Sequence, residues 1–154
     1  MSLKSIIRPF YIGLLNPALI KPIFYDLMGK KNKIQSNEIH IKNAVDWLLL
    51  SQSVNIDGGS SAQYQVSGWL SSYPETTGYI IPTLLKYAKK NNLSLTEEAS
   101  RMADFLIGMQ FDNGSFPGGS GIGKETNPTV FNTGQILFGL CSIYSETQNK
   151  KYLE

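Results

Sequence analysis

Cysteine and histidine are almost missing from this chain, which has one of each, Cys141 and His40. A lone cysteine excludes a disulfide framework within the chain and is compatible with a reduced compartment. Its setting, L-F-G-L-C-S-I-Y, is apolar, so a buried, inert thiol is expected. A lone histidine excludes a His-rich metal site. Any Ser-His-Asp triad would have to use His40, which falls in a helical stretch with no nucleophile motif nearby. No ligand-spacing motif joins His40, Cys141 and carboxylates into a zinc site, and no cofactor is implied.

Charge of one sign is also scarce. The formal net charge is +2, which excludes a nucleic-acid face built on clustered Lys and Arg. The basic pairs Lys30-Lys31, Lys89-Lys90 and Lys150-Lys151 fall at expected helix ends, where they complement the helix dipole. No long hydrophobic run occurs. The apolar N-terminal stretch is broken by Arg8, Pro9, Gly13, Asn16 and Pro17. A secretory signal needs a cleaner apolar run, and a membrane span needs ~20 apolar residues. No membrane span and a cytoplasmic location are therefore expected. The glycines from Gly118 to Gly123 lead to Lys124-Glu125 and no G-K-[ST], so they do not form a phosphate loop. They read as a mobile lid or a long plain turn.

Hydrophobic residues make up 42% of the chain and charged residues 17%, the balance of a folded domain. Residues 1–16 read as an irregular apolar arm, and residues 17–154 as all-α. A short helix is expected over 18–29, with Pro22 in its first turn and Gly29 as its stop. A second is expected over 38–52, capped by Ser36 or Asn37. Its stripe of Ile41, Ala44, Val45, Leu48 and Leu49 is widened by Trp47 and Leu50, which predicts burial on more than one side. A third, over 76–90, has Ile80, Ile81, Leu84, Leu85 and Ala88 apolar and Pro82 near its first turns. Ser94 and Glu97 form a capping-box pattern that opens a fourth, to Gln110. A fifth is expected over 129–146.

The helices repeat. Asp46-Trp47-Leu48 and Gln52 match Asp104-Phe105-Leu106 and Gln110 at a separation of 58. Gly59-Ser60 matches Gly114-Ser115 at 55, and Thr77-Gly78 matches Thr133-Gly134 at 56. The unit is a helical hairpin, which cannot bury both apolar faces alone and does so by stacking on the next. Gln52 and Gln110 stand where helices end and carbonyls lack donors. A Gln amide both donates and accepts there.

Gln110-Phe111-Asp112-Asn113-Gly114-Ser115-Phe116 resembles the Q-x-x-x-G-x-W motif of the squalene cyclase and prenyltransferase repeat, with Phe for Trp. Gln52 to Ser60 is a looser version with a longer loop. The resemblance covers residues 38–146. It implies an α/α toroid, with inner helices lining a central cavity. The combination D-G-G-S-S…G-W-L-S-S-Y-P-E-T-T-G-Y is similar to toroids encoded with bacterial exopolysaccharide biosynthesis genes. About two and a half hairpins are present, fewer than a closed toroid of that family. The expectation is a fragment of a longer toroid lacking C-terminal repeats, or an open array that closes as a homo-oligomer. The D-x-D-D acid motif of the cyclases and the Asp/Cys/His zinc ligands of the prenyltransferases are both missing.

Several side chains are candidates for a site. Glu75 precedes an inner helix and aligns with Phe131, so it is not a repeat-packing residue. It reads as a general acid, a base or a sugar-hydroxyl acceptor, or as a first-turn carboxylate that suits the helix dipole. Asp57 and Asp112 read as turn caps, or as carboxylates flanking a glycosidic bond at ~5–9.5 Å. Trp69, Tyr64 and Tyr73 read as a stacking platform for sugar rings or as packing between hairpins, with Gln63 beside them. Asp46 and Asp104 are structural. Glu75 and Asp57 are thus the catalytic candidates. Trp69, Tyr73, Tyr64, Gln63 and Asp112 are the candidates for binding a carbohydrate or other small molecule. The functional expectation is carbohydrate binding or processing in bacterial polysaccharide production. The alternatives are isoprenoid processing and a non-catalytic scaffold.

Overall fold

The computed structural model of the chain describes residues 11, 16–30, 34–119 and 127–153. Most of the arm at 1–16 and most of the Gly118–Glu125 loop lie outside the described residues.

The described chain is mostly helical, with five α-helices and one two-stranded sheet. Asn16 caps a 3-10 turn, Pro17–Leu19, by accepting the Ala18 N–H. Helix α1, Ile20–Leu27, follows. Pro22 lies in its first turn, where the missing N–H has no intrahelical partner to lose. Gly29, at φ +61°, lies just past its end. No residue of α1 is buried.

Helix α2, Asn37–Ser53, is capped by Ser36, whose Oγ accepts the Ile39 N–H. Its packing is thinner than its apolar content predicts. Val45 is buried, and Leu48 and Leu49 pack on the core. Ala44, Ile41, Trp47 and Leu50 are exposed, the last three to about half, so the described residues cover one side of α2 and not two.

Between α2 and the next helix lies a short hairpin that the helical reading missed. Strand β1, Tyr64–Gln65, pairs antiparallel with β2, Gly68–Trp69. Gly68 sits at φ +106°, a backbone state open to glycine and costly for other residues.

Helix α3, Pro74–Asn91, begins two residues before the expected start because Pro74 itself takes the first helical position, where its fixed φ suits the helix. Pro82 therefore falls in the helix interior and not near its first turns. Helix α4, Thr96–Ile107, lacks the expected capping box. Leu95 occupies the N-cap position, half-buried against the core, and Ser94 is left exposed. Packing of Leu95 outweighs a cap worth about 1 kcal/mol. Helix α5 spans Val130–Thr147, and a 3-10 turn, Lys150–Tyr152, follows with Asn149 as its cap.

The core lies among α3, α4 and α5. Ile81, Leu84, Met102, Leu106, Phe116, Ile136 and Ile143 are fully buried there. Helices α3 and α5 meet backbone to backbone. A Cβ on Gly78 would stand 2.7 Å from Ile136 Cα, and a Cβ on Gly139 would collide with the Gly78 carbonyl. Pro82 offers no N–H to that carbonyl four residues earlier. Each glycine costs its helix about 1 kcal/mol relative to alanine. The close approach it permits brings two full helix faces into contact, and that term is larger.

Cys141 is exposed, which corrects the expected buried thiol. The apolar string around it serves two opposite faces of α5. Only the face with Ile136, Gly139 and Ile143 is covered by described residues.

Candidate functional site

One hydrogen-bond pattern is built twice, once around Thr77 and once around Thr133. Thr77 Oγ1 accepts the buried Ser60 N–H at 2.9 Å and donates to the Tyr73 carbonyl at 2.8 Å. Thr133 Oγ1 accepts the Phe116 N–H at 3.1 Å. Gln52 Nε2 donates to the Gly58 and Glu98 carbonyls, both at 2.9 Å, tying its loop to α4. Gln110 Nε2 donates to the Gly114 carbonyl at 3.2 Å. Gly58 and Gly114 both have positive φ. Isolated bridges join Ser61 to Ser72 and Pro117 to Pro128. Asn92 and Gln148 each end an 18-residue helix in the left-handed conformation.

These bonds put Gly58 opposite Gly114, one residue away from the match of Gly59 with Gly114. They also pair Asp57 with Asn113 and not with Asp112. Asp57 Oδ1 accepts the Gly59 N–H at 3.0 Å and the Ser72 hydroxyl at 2.7 Å. Asn113 Oδ1 accepts the Ser115 N–H at 3.1 Å and the Ser115 hydroxyl at 2.6 Å. Each side chain closes its own turn. Asp57→Asn, which keeps the acceptor, is expected to leave stability within about 0.5 kcal/mol, whereas Asp57→Ala should lose about 1 kcal/mol. Urea unfolding of the two variants reads this role directly: equal losses in both would show that the turn needs the charge and not the acceptor.

Glu75 is half-buried in the first turn of α3 and makes no side-chain hydrogen bond or ion pair among the described residues. Asp112 is exposed in the turn after Gln110, and Gln63 is exposed beside β1. Tyr73 is half-buried at the N-cap position of α3, and its carbonyl is taken by Thr77.

The aromatic candidates divide. Tyr64 and Trp69 face each other across β1 and β2, with ring centroids 5.1 Å apart. The third member of the group is Trp47 of α2, 4.7 Å from Trp69 and edge-on to Tyr64 at 6.0 Å. Tyr73 takes no part in it. The Tyr64 hydroxyl accepts from Asn16 Nδ2 at 2.7 Å, and the same amide reaches the Val66 carbonyl. Sequence reasoning placed Trp47 in a core stripe. Its repeat partner, Phe105, is indeed buried, but Trp47 is 49% exposed. The hairpin, placed by Gly68 next to Trp69, is the signal that would have found it.

The other polar contacts are structural. Asp46 pairs with Lys42 at 2.6 Å. Asp104 pairs with Lys151 at 2.7 Å and accepts the Tyr152 hydroxyl, fixing the last turn to α4. The bond from Asp104 holds the Lys151 ammonium above its ordinary range. A groove of about 300 Å³ between α2 and α3 is lined by Glu38, Ile41, Thr83, Lys86, Tyr87 and Lys90, among others. Among the described residues no three His, Cys, Asp or Glu side chains gather to hold a metal ion. No described helix is long and apolar enough to cross a membrane. No protein-family model, curated protein or solved structure matches the chain.

Proposed function

We propose that the chain is part of a helical-hairpin array of the α/α-toroid type that binds carbohydrate in bacterial polysaccharide production. The recurrence of one turn-and-helix pattern around Thr77 and Thr133 supports the array. The observation that carries the binding reading is the group of Trp47, Tyr64 and Trp69. Edge-to-face and tilted contacts hold the three rings in place before any ligand arrives. Trp47 keeps about half of its surface open. A fixed, half-open aromatic face suits the C–H face of a pyranose, and a preorganised site loses little entropy on binding. Glu75 serves as an acceptor for sugar hydroxyls. Binding rather than turnover is proposed, because the Asp57 carboxylate is engaged in its turn.

Tryptophan fluorescence and calorimetric titration with neutral and acidic hexo-oligosaccharides test this. Trp69→Ala and Trp47→Ala are each expected to weaken binding by about tenfold or more, the loss of one stacking contact of about 1.5 kcal/mol. Unchanged affinity in both variants sinks the reading. The scaffold alternative is favoured by a different observation, the exposed apolar face of α5. Nothing among the described residues favours isoprenoid processing.

A further inference from the structure

Helix α5 has no charged residue from Val130 to Ser145. Two opposite sides of it are apolar. Ile136, Gly139 and Ile143 are buried toward α3. On the other side Val130, Phe131, Gly134, Leu137, Phe138 and Cys141 recur at helical spacing, and all are exposed. A helix apolar on two opposite sides is suited to being covered on both.

The register of the repeat shows what kind of surface this is. Gly134, Leu137, Phe138 and Cys141 occupy the positions that Gly78, Ile81, Pro82 and Leu85 occupy on α3, in the preceding repeat. Those α3 residues form the side on which α5 lies. Ile81 is fully buried, whereas Leu137 is 46% exposed. A Cβ on Gly78 would strike α5, whereas a Cβ on Gly134 would meet nothing within 4 Å. The outer side of α5 is thus shaped to receive a helix at close range. Beside it a groove of about 210 Å³, lined by Leu137, Leu140, Cys141 and Tyr152 and by Lys151, whose ammonium is paired with Asp104, continues toward Leu153.

We propose that this face joins two copies of the chain about a two-fold axis, α5 against α5. A head-to-tail contact would instead set the face on the side of α3 that already borders α2 across the groove of about 300 Å³. That side presents Tyr79, Thr83, Lys86 and Lys90, all exposed. It is cationic, and branched Thr83 stands where Gly139 makes the close approach within the chain. Burying lysine against an uncharged apolar face is unfavourable. A two-fold contact sets like on like, which suits a face with no charge to repel itself. With the axis beside Leu137 and Phe138, the two helices run antiparallel. Gly134 of each copy then meets Cys141 of the other, small residue against small residue.

Sedimentation of the full chain at tens of micromolar is expected to give twice the 17.1 kDa chain mass. Phe138→Glu and Leu137→Glu should weaken association by about a hundredfold, as central apolar contacts do. Both side chains are about half exposed, so these variants keep the helical circular dichroism. Thr83→Glu should leave the dimer intact. Gly134→Cys under mild oxidation should give a covalent dimer linked from position 134 to Cys141 of the second copy, and Cys141→Ser should abolish the link. A monomer at these concentrations, species that grow without limit and are broken by Thr83→Glu, or Gly134→Cys that links only to itself would each overturn the proposal.

Discussion

Gly139→Ala is expected to destabilise the chain by about 3 kcal/mol, the upper range for forcing extra atoms into a packed core. The added methyl would meet the Gly78 carbonyl, which is main chain and cannot rotate aside. Relief requires α3 and α5 to separate, and Ile81, Ile136 and Ile143 lose contacts when they do. Gly134→Ala, earlier on the same helix, should have the opposite sign. Its new methyl meets nothing, so the helix gains about 0.5–1 kcal/mol from alanine propensity. Thermal melts of dilute protein read both. Each kcal/mol moves the midpoint by about 2–4 °C in a chain of this size, so the two variants should separate by roughly 10 °C. Equal shifts would show that α3 and α5 do not meet at Gly78 and Gly139.

Thr77→Val is expected to cost about 2 kcal/mol, the penalty for leaving one buried donor without its acceptor. Valine has nearly the shape of threonine, so the cavity term is small and the hydroxyl is isolated. Ser60 and Thr77 are both fully buried, and the Ser60 N–H has the Thr77 hydroxyl as its acceptor. The Tyr73 carbonyl is less affected, since it also accepts the Thr77 N–H. Thr133→Val should cost less, about 1 kcal/mol, because that bond is longer, 3.1 Å, and only part-buried. Urea midpoints of the two valine variants, with Thr77→Ser as the rescue, check the ordering. A Thr77→Ser variant as unstable as Thr77→Val would assign the effect to packing and not to the hydrogen bond.

Much of the fold could be read from residue spacing. The stripes Ile80, Ile81, Leu84, Leu85, Ala88 and Ala99, Met102, Ala103, Leu106, Ile107 mark two helices; eight of these ten residues are buried, and Leu85 and Ile107 pack partly buried against the core. Ser36 caps its helix as its short polar side chain predicts. The misses share a cause, which is that a tertiary neighbour overrode a local pattern. Ser94 and Glu97 make a good box, but Leu95 found a place in the core. Gly59-Ser60 and Gly114-Ser115 match as letters, yet the left-handed turn falls at Gly58 in one copy and Gly114 in the other. Asp112 and Asp57 both stand in the turns that follow Gln110 and Gln52, but the acceptor in the second turn is Asn113. Cys141 and Trp47 sit in apolar strings, and a string alone does not say which side of a helix is covered. Of the aromatic group, Tyr64 and Trp69 were legible as neighbours. Trp47, which reaches them across the fold from α2, was not.

The spacing of α3 and α5 also matters while the chain is being made. The growing chain holds all of α3 once Asn91 is added, but the helix that covers its Gly78 side ends only at Thr147. At about 5–20 residues per second, synthesis from one to the other takes roughly 3–11 s. Throughout it the nascent protein shows Ile81 and its neighbours to the cell, a surface on which any half-made copy nearby can lodge. Only when α5 folds back is that surface removed, and α5 then displays one of the same design on its far side. Production of this chain should therefore suffer most from crowding on a single messenger, where many growing copies pass through the same open stage together.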